Sequence, residues 1–146
     1  GYTGKVLVIE QPRNARLFEP GLRESTRSRL GIGDHEKVIL YAPTWRKSDV
    51  GSTGRPSYLL DTEWLAERTG CKVLVRTHHM TNAPQTNSSN VLDVSKEPRV
   101  EDLMVASDIL ISDYSSIIID YALLGRPTAI HAPDAVAYAL ERGFYG

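Results

Sequence analysis

Residues 108–127 read DILISDYSSIIIDYALLGRP, and their residue types follow one another in the order of a strand, a turn and a helix. The apolar run at 108–112 is typical of a buried strand, and small polar residues separate it from a second apolar stretch. Gly125 is of the type that commonly ends a helix. The stretch therefore predicts a strand at 108–112 that passes through a tight turn into a helix over 115–124.

The same alternation of strand and helix patterns runs along the rest of the chain. Further strands are expected at 5–9, 38–42, 72–76, 91–94 and 128–131, and further helices at 22–30, 59–69, 100–106 and 134–142. In the helix over 59–69 we expect Leu60, Trp64 and Leu65 to face the core, and Gly70 to end it. Strands alternating with helices predict one α/β domain over residues 1–146, with a Rossmann-like parallel sheet of about six strands and helices on both faces.

Composition argues against several classes of function. The 146 residues carry 17 Lys and Arg against 18 Asp and Glu, whereas a dedicated nucleic-acid binder usually has a basic excess, so we expect no nucleic-acid partner. Cys71 is the one cysteine, which excludes an internal disulfide, and we expect neither a metal nor a cofactor. No apolar run approaches the ~20 residues of a membrane span. Both ends look cut, so we expect a fragment of a longer protein.

Ligands of such sheets bind beyond the carboxyl ends of the strands. The residues that follow the predicted strands at that edge are polar and include several cations. They are Pro12-Arg13-Asn14, Thr44-Trp45-Arg46, Thr77-His78-His79, Asp113-Tyr114-Ser115-Ser116 and His131. We therefore expect the binding site at this edge.

Ser115 and Ser116 stand where the predicted helix begins. Free backbone N–H groups and two hydroxyl donors at that point favour a phosphate or pyrophosphate ligand, although Ser115 could instead only cap the helix. Asp120 lies five residues after Ser115 in an otherwise apolar helix, where an unpaired carboxylate is costly to bury. It could accept hydrogen bonds from ribose hydroxyls, or it could pair with a nearby arginine or with backbone.

Four motifs stand in order along the chain, namely Tyr41-Ala42-Pro43-Thr44-Trp45-Arg46, Ser112-Asp113-Tyr114-Ser115-Ser116, Asp120-Tyr121-Ala122 and Gly125-Arg126-Pro127. With Pro12-Arg13-Asn14, Arg76-Thr77-His78 and the tail from Asp134 to Tyr145, they span nearly the whole sequence. Together these motifs resemble the CDP-glycerol glycerophosphotransferase family, the teichoic acid primases and polymerases of bacterial cell walls.

The resemblance implies the C-terminal, nucleotide-binding half of a glycosyltransferase-B architecture. The donor it implies is CDP-glycerol or a related CDP-polyol such as CDP-ribitol. It also implies a lipid-linked polymer acceptor bound by a missing N-terminal domain, and a cytoplasmic enzyme peripheral at the inner face of the bacterial cell membrane. The spacing from Ser115 to Pro127 is similar to that of UDP-sugar 2-epimerases, in which the acid holds the nucleotide ribose; this favours the ribose role for Asp120.

Transfer of polyol phosphate with release of CMP builds negative charge on the leaving phosphate, so the protein must supply positive charge and donors. The candidate substrate-binding residues are Thr44, Arg46, Ser115, Ser116, Asp120 and Arg13. His78 is the candidate catalytic residue, since a protonated imidazole could assist the leaving group. Many family members have His-Pro where this chain has His78-His79, so His79 competes for that role. Each residue could also have no part in binding or catalysis. His78 could be a structural histidine at a strand end, and Arg46 could be a solvated loop cation.

Two other functions stay open. The chain could be a glycosyltransferase-B donor domain that uses a UDP- or GDP-sugar, or a non-catalytic Rossmann-like interaction domain. Preference for CDP or CMP over UDP would separate a CDP-polyol phosphotransferase from a glycosyltransferase-B donor domain. A well-folded chain that binds no nucleotide would support the interaction domain.

Overall fold

A computed structural model describes residues 3–5, 11–46, 59–77 and 88–142. Five strands form one sheet in the order β3-β2-β1-β4-β5, and every neighbouring pair is parallel. The strands are β1 (Val38–Ala42), β2 (Lys72–Val75), β3 (Val91–Asp93), β4 (Ile109–Ser112) and β5 (Thr128–Ile130). The parallel α/β sheet is confirmed with five strands among the described residues, because the strand expected at 5–9 falls outside them after Lys5.

The helices alternate with the strands as expected. They are α1 (Leu22–Arg29), α2 (Thr62–Thr69), α3 (Val100–Ala106), α4 (Ile117–Ala122) and α5 (Ala135–Arg142). Pro12-Arg13-Asn14 begins a 3₁₀ helix over Pro12–Phe18. None of the helices in the described part of the chain has both the length and the apolar composition needed to cross a bilayer.

Alternate residues of β1 face two separate cores. Val38 and Leu40 pack into a cluster with residues of α1, α3 and α4, whereas Ile39 and Tyr41 pack into a second cluster with α2. Each of these four residues is at most 3% exposed. A strand that is apolar on both faces is the pattern of a parallel sheet covered by helices on both sides, which confirms that part of the prediction.

The helix expected over 59–69 begins later, and this changes the face that it buries. The Asp61 carboxylate accepts a hydrogen bond from the Trp64 N–H and so begins α2 at Thr62. Thr62 and Ala66 are buried, whereas Trp64 is 56% exposed, so the expectation that Trp64 faces the core was wrong. Gly70 ends the helix with φ of 66°, as expected.

Arginine side chains satisfy the carbonyl groups at the carboxyl end of α3. Arg23 donates to the Val105 carbonyl at 2.8 Å, and Arg27 donates to the Ala106 carbonyl at 2.9 Å. Arg126 donates to the Val105 carbonyl at 2.7 Å. The last carbonyls of a helix have no partner within it and carry partial negative charge, so cations stabilise that end. The Gly125-Arg126-Pro127 motif therefore has a role in the fold.

Asp108 ties the start of β4 to the start of β1. Its carboxylate accepts from the Val38 N–H at 2.9 Å and from Arg23 at 2.8 Å. Burial alone would raise the pKa of Asp108, but the Val38 and Arg23 contacts outweigh it and lower that pKa below its usual value. The charged carboxylate therefore stabilises the fold above the ordinary pKa of Asp, and this stability is lost as the pH falls through the lowered value.

We expect Asp108→Asn to lower the free energy of unfolding by about 1–3 kcal/mol at pH 7, because hydrogen bonds to a charged group become neutral ones. Below about pH 4 the wild type should lose this advantage and the two proteins should converge. Urea unfolding at pH 7, 5, 3 and 2 measures the difference. Asp34→Asn, the same change at an exposed residue, is the control. A gap between wild type and Asp108→Asn that stays constant down to pH 2 would contradict the assignment.

Candidate active site

A cavity of about 510 Å³ opens at the carboxyl edge of the sheet. Its wall is built from residues that follow β1, β2, β3 and β4, together with residues of the 3₁₀ helix and α3. Its lining includes Arg13, Thr44, Arg76, Ser115, Ser116 and Asp120. The chain runs from β1 outward to β3 and then returns to the other side of β1 at β4, so the cavity lies at the point where strand order reverses.

Ser115 and Ser116 both line this cavity, in the loop between β4 and α4. The helix begins at Ile117, two residues later than expected, and the Ser115 hydroxyl accepts from the Ile117 N–H at 3.3 Å. Ser116 is the residue before the helix, and its side chain makes no capping hydrogen bond. Capping thus engages Ser115 alone, and at a long distance.

Asp120 lines the cavity and is already paired. One carboxylate oxygen accepts from Arg13 Nη2 at 2.8 Å, and the other accepts from Asn14 Nδ2 at 3.2 Å. Its side chain is 14% exposed, whereas that of Arg13 is 52% exposed. The pairing with an arginine that the sequence left open is therefore present. Each carboxylate oxygen has a further lone pair, so two hydroxyl donors can still be accepted beside Arg13 and Asn14.

Thr44 follows β1 and is fixed by the β4–α4 loop. Its N–H donates to Asp113 Oδ1 at 2.8 Å, and the Tyr114 N–H donates to the same oxygen at 2.7 Å. The Thr44 Oγ1 atom is buried and has no hydrogen-bond partner among the described residues. A shielded hydroxyl beside a cavity is a polar group that a ligand can satisfy.

Arg46 lies outside the cavity lining, in contrast to the other five substrate-binding candidates. Its guanidinium donates to Asp113 at 2.9 Å and to Asp134 at 2.9 Å, and its side chain is 4% exposed. The alternative prediction that Arg46 is a solvated loop cation is therefore wrong. Burial lowers the pKa of Arg46, but Asp134 and Asp113 outweigh it and raise that pKa above its usual value.

Two tyrosines enclose the other side of this ion-pair cluster. The Tyr114 and Tyr138 rings are stacked with centroids 3.8 Å apart, and the Arg46 guanidinium carbon lies 4.9 and 4.8 Å from the two rings. Burial and a hydrogen bond to Asp134 raise the pKa of the Tyr114 hydroxyl to about 12. Tyr114 therefore packs within this cluster.

Arg76 lines the cavity but was not among the substrate-binding residues predicted from the sequence. It follows β2, and Nη1 donates to the Glu97 carbonyl at 2.7 Å. Burial lowers the pKa of Arg76. Its position at the carboxyl end of the strand expected over 72–76, within the Arg76-Thr77-His78 motif, was the signal that could have identified it. Among the described charged residues of the cavity, Arg13 and Arg76 are the cations, and Asp120 and Glu101 are the anions.

Several predicted features lie outside the described residues. They are His78 and His79 and the end of the tail. The roles of His78 and His79 thus stay predictions. Within the described ranges, no group of three or more His, Cys, Asp and Glu is arranged to hold a metal ion.

A family model described as CDP-Glycerol:Poly(glycerophosphate) glycerophosphotransferase matches residues 1–146. The teichoic acid ribitol-phosphate polymerase TarK of Staphylococcus aureus is 33% identical over an alignment of 145 positions that covers 92% of this chain and 28% of TarK. A teichoic acid poly(glycerol phosphate) polymerase of Bacillus spizizenii is 36% identical over an alignment of 146 positions that covers 92% of this chain and 37% of that polymerase. This chain thus spans well under half the length of these relatives.

Solved structures of the wall teichoic acid polymerase TagF have the same fold. One matches with a TM-score of 0.81 and 36% identity, covering 96% of this chain and 37% of the solved TagF chain. A TagF variant soaked with CDPG matches with a TM-score of 0.82 and 35% identity, over the same shares of both chains.

Proposed function

Because the chain belongs to the CDP-glycerol:poly(glycerophosphate) glycerophosphotransferase family, we propose that it forms the donor-binding part of a CDP-polyol phosphotransferase. The cavity at the carboxyl edge of the sheet would bind CDP-glycerol or CDP-ribitol. The enzyme would transfer the polyol phosphate to a growing polymer of the teichoic acid type and release CMP. Both polyols are included because the relatives comprise glycerol-phosphate and ribitol-phosphate polymerases.

One observation carries this proposal. Thr44, Ser115, Ser116, Asp120 and Arg13 come from three distant parts of the sequence and line one cavity. Hydroxyl donors and a cation suit a pyrophosphate, and a carboxylate beside them suits the vicinal hydroxyls of a ribose. A volume of about 510 Å³ is within the range of small-molecule sites.

The proposed step is an in-line displacement at the phosphorus that carries the polyol. An acceptor hydroxyl oxygen forms the new P–O bond, and the bond from that phosphorus to the bridging oxygen breaks. The bridging oxygen leaves on CMP with the electron pair, and the acceptor proton goes to a base. Ser115, Ser116 and Thr44 would donate to the phosphate oxygens, while Arg13 and Arg76 would offset their charge.

His78 would supply positive charge or a proton to the departing CMP phosphate. It is the next residue after Thr77, which lines the cavity, and this position in the chain supports the assignment. The base and the acceptor site would belong to the remainder of a longer protein, as the greater length of the relatives suggests. With a lipid-linked acceptor, that protein would act in the cytoplasm at the inner face of the cell membrane.

We expect the double change Ser115→Ala with Ser116→Ala to weaken CDP binding at least about tenfold, because charge-assisted hydrogen bonds are worth about 1.5–3 kcal/mol each. Loss of a helix cap alone would cost about 0.5–2 kcal/mol of stability and leave affinity per folded molecule unchanged. Thermal melting and calorimetric titration with CDP, CMP and UDP on the same samples distinguish a role of the serines in binding from a role in helix capping alone.

Thr69→Ala removes a hydroxyl at the distant end of α2 and serves as the matched control. Equal affinity for CDP and UDP in the wild type would favour a glycosyltransferase donor domain. A folded wild type that binds no nucleotide would leave only an interaction domain.

The ribose role of Asp120 can be tested with CDP and 2′,3′-dideoxy-CDP. The wild type should bind the dideoxy compound at least about tenfold less tightly, since two hydrogen bonds to a carboxylate are lost. In Asp120→Asn that difference should shrink to about twofold or less, as expected for two groups in direct contact. Inorganic pyrophosphate, which has no ribose, reports any change in Arg13 itself. The same preference for CDP in both proteins would show that Asp120 serves only to pair with Arg13.

A further inference from the structure

Both peptide groups that flank the Thr44 Cα are held by charged side chains. Its N–H donates to Asp113 Oδ1 at 2.8 Å, and its carbonyl oxygen accepts from Arg46 Nη1. The side chains of Asp113 and Arg46 are 2% and 4% exposed. Since peptide groups are planar, fixing both of them fixes the direction of the Cα–Cβ bond between them. These contacts therefore set the direction in which the Thr44 side chain leaves the backbone and limit its hydroxyl to the few positions of the staggered χ1 rotamers.

We propose that Asp113, Arg46 and Asp134 form a positioning network that holds the Thr44 hydroxyl ready for a donor phosphate oxygen. This inference rests on the proposed function of the cavity. Arg46 takes no direct part in binding, because it is buried and lies outside the cavity lining. It acts through Thr44, whose Oγ1 is buried and lacks a hydrogen-bond partner among the described residues.

The network needs the shape of a guanidinium, not only its charge. Arg46 donates through Nη1 to the Thr44 carbonyl, through Nη2 to Asp113 at 2.9 Å and through Nε to Asp134 at 2.9 Å. These acceptors lie on different sides of a planar fork. A lysine ammonium at the end of a flexible stem cannot reach all three with the same geometry.

Asp134 connects this network to the last helix. It lies just before α5, and its backbone carbonyl accepts from the Tyr138 N–H at 2.9 Å within the first turn. Tyr138 in turn stacks on Tyr114, which follows Asp113 in the β4–α4 loop. The position of α5 is thereby linked to Thr44 by side chains that do not line the cavity.

The test is the effect of Arg46→Lys on CDP affinity per folded molecule, measured well below the melting temperature. We expect affinity to fall at least about fivefold, because the loosened Thr44 loses much of a charge-assisted hydrogen bond. Asp134→Asn is the milder second variant, since Asp134 is 25% exposed and its loss leaves the Arg46–Asp113 pair in place. Asp134→Asn should also reduce the affinity for CDP.

A double-mutant cycle with Thr44→Val distinguishes positioning from a general loss of stability. Thr44→Val keeps the shape of the side chain and removes the hydroxyl. If the network acts through that hydroxyl, Arg46→Lys should weaken CDP binding by less than about twofold in the Thr44→Val background. An effect of Arg46→Lys that persists in full there would overturn the proposal.

Arg27→Lys is the matched control, because Arg27 is also 4% exposed but bonds to backbone carbonyls around the start of β1 and the end of α3. It should lower the melting temperature and leave CDP affinity unchanged. Lower stability with unchanged CDP affinity in both Arg46→Lys and Asp134→Asn would also overturn the positioning role. Absence of CDP binding by the wild type would overturn the proposed function together with this inference, so the two failures are distinguishable.

Discussion

The parallel register between β1 and β4 is the constraint on which the site depends. It pairs Ala42 with Ser112, and the fully buried Ser112 hydroxyl donates to the Ala42 carbonyl at 2.7 Å. The two strands therefore end side by side, and the loops that leave them begin at the same level. A shift of one residue would turn the side chains of either strand to the opposite face. It would also separate the Asp113 carboxylate from the Thr44 N–H that it binds.

Most of the fold follows from local pattern, because apolar strands and glycine-terminated helices are encoded by neighbouring residues. The positions of Thr44, Ser115, Ser116 and Asp120 could be predicted for the same reason, since the first three follow strands at a known edge of the sheet and Asp120 lies in the helix that comes next. The ion pairs between charged side chains could not be predicted from the sequence. Arg46 pairs with Asp134, which lies 88 residues further along the chain, and no local pattern indicates that pair.

The buried face of α2 shows the same limit at short range. Helical spacing alone placed Trp64 in the core, but the Asp61 cap begins the helix at Thr62 and so determines which residues face inward. A side chain-to-backbone hydrogen bond of this kind competes with simple hydrophobic periodicity. Boundaries of helices are therefore predicted less well than their existence.

The contact of Arg13 and Asn14 with Asp120 has a consequence for the energetics of recognition. Arg13 and Asn14 hold the carboxylate from two sides, so its rotational freedom is restricted by the fold itself. A ribose that shares these oxygens would meet a preorganised acceptor and would lose less conformational entropy on binding than with a mobile side chain. The 3₁₀ helix thus holds the Asp120 side chain in place, and the conformational entropy of that side chain is lost during folding and not on binding.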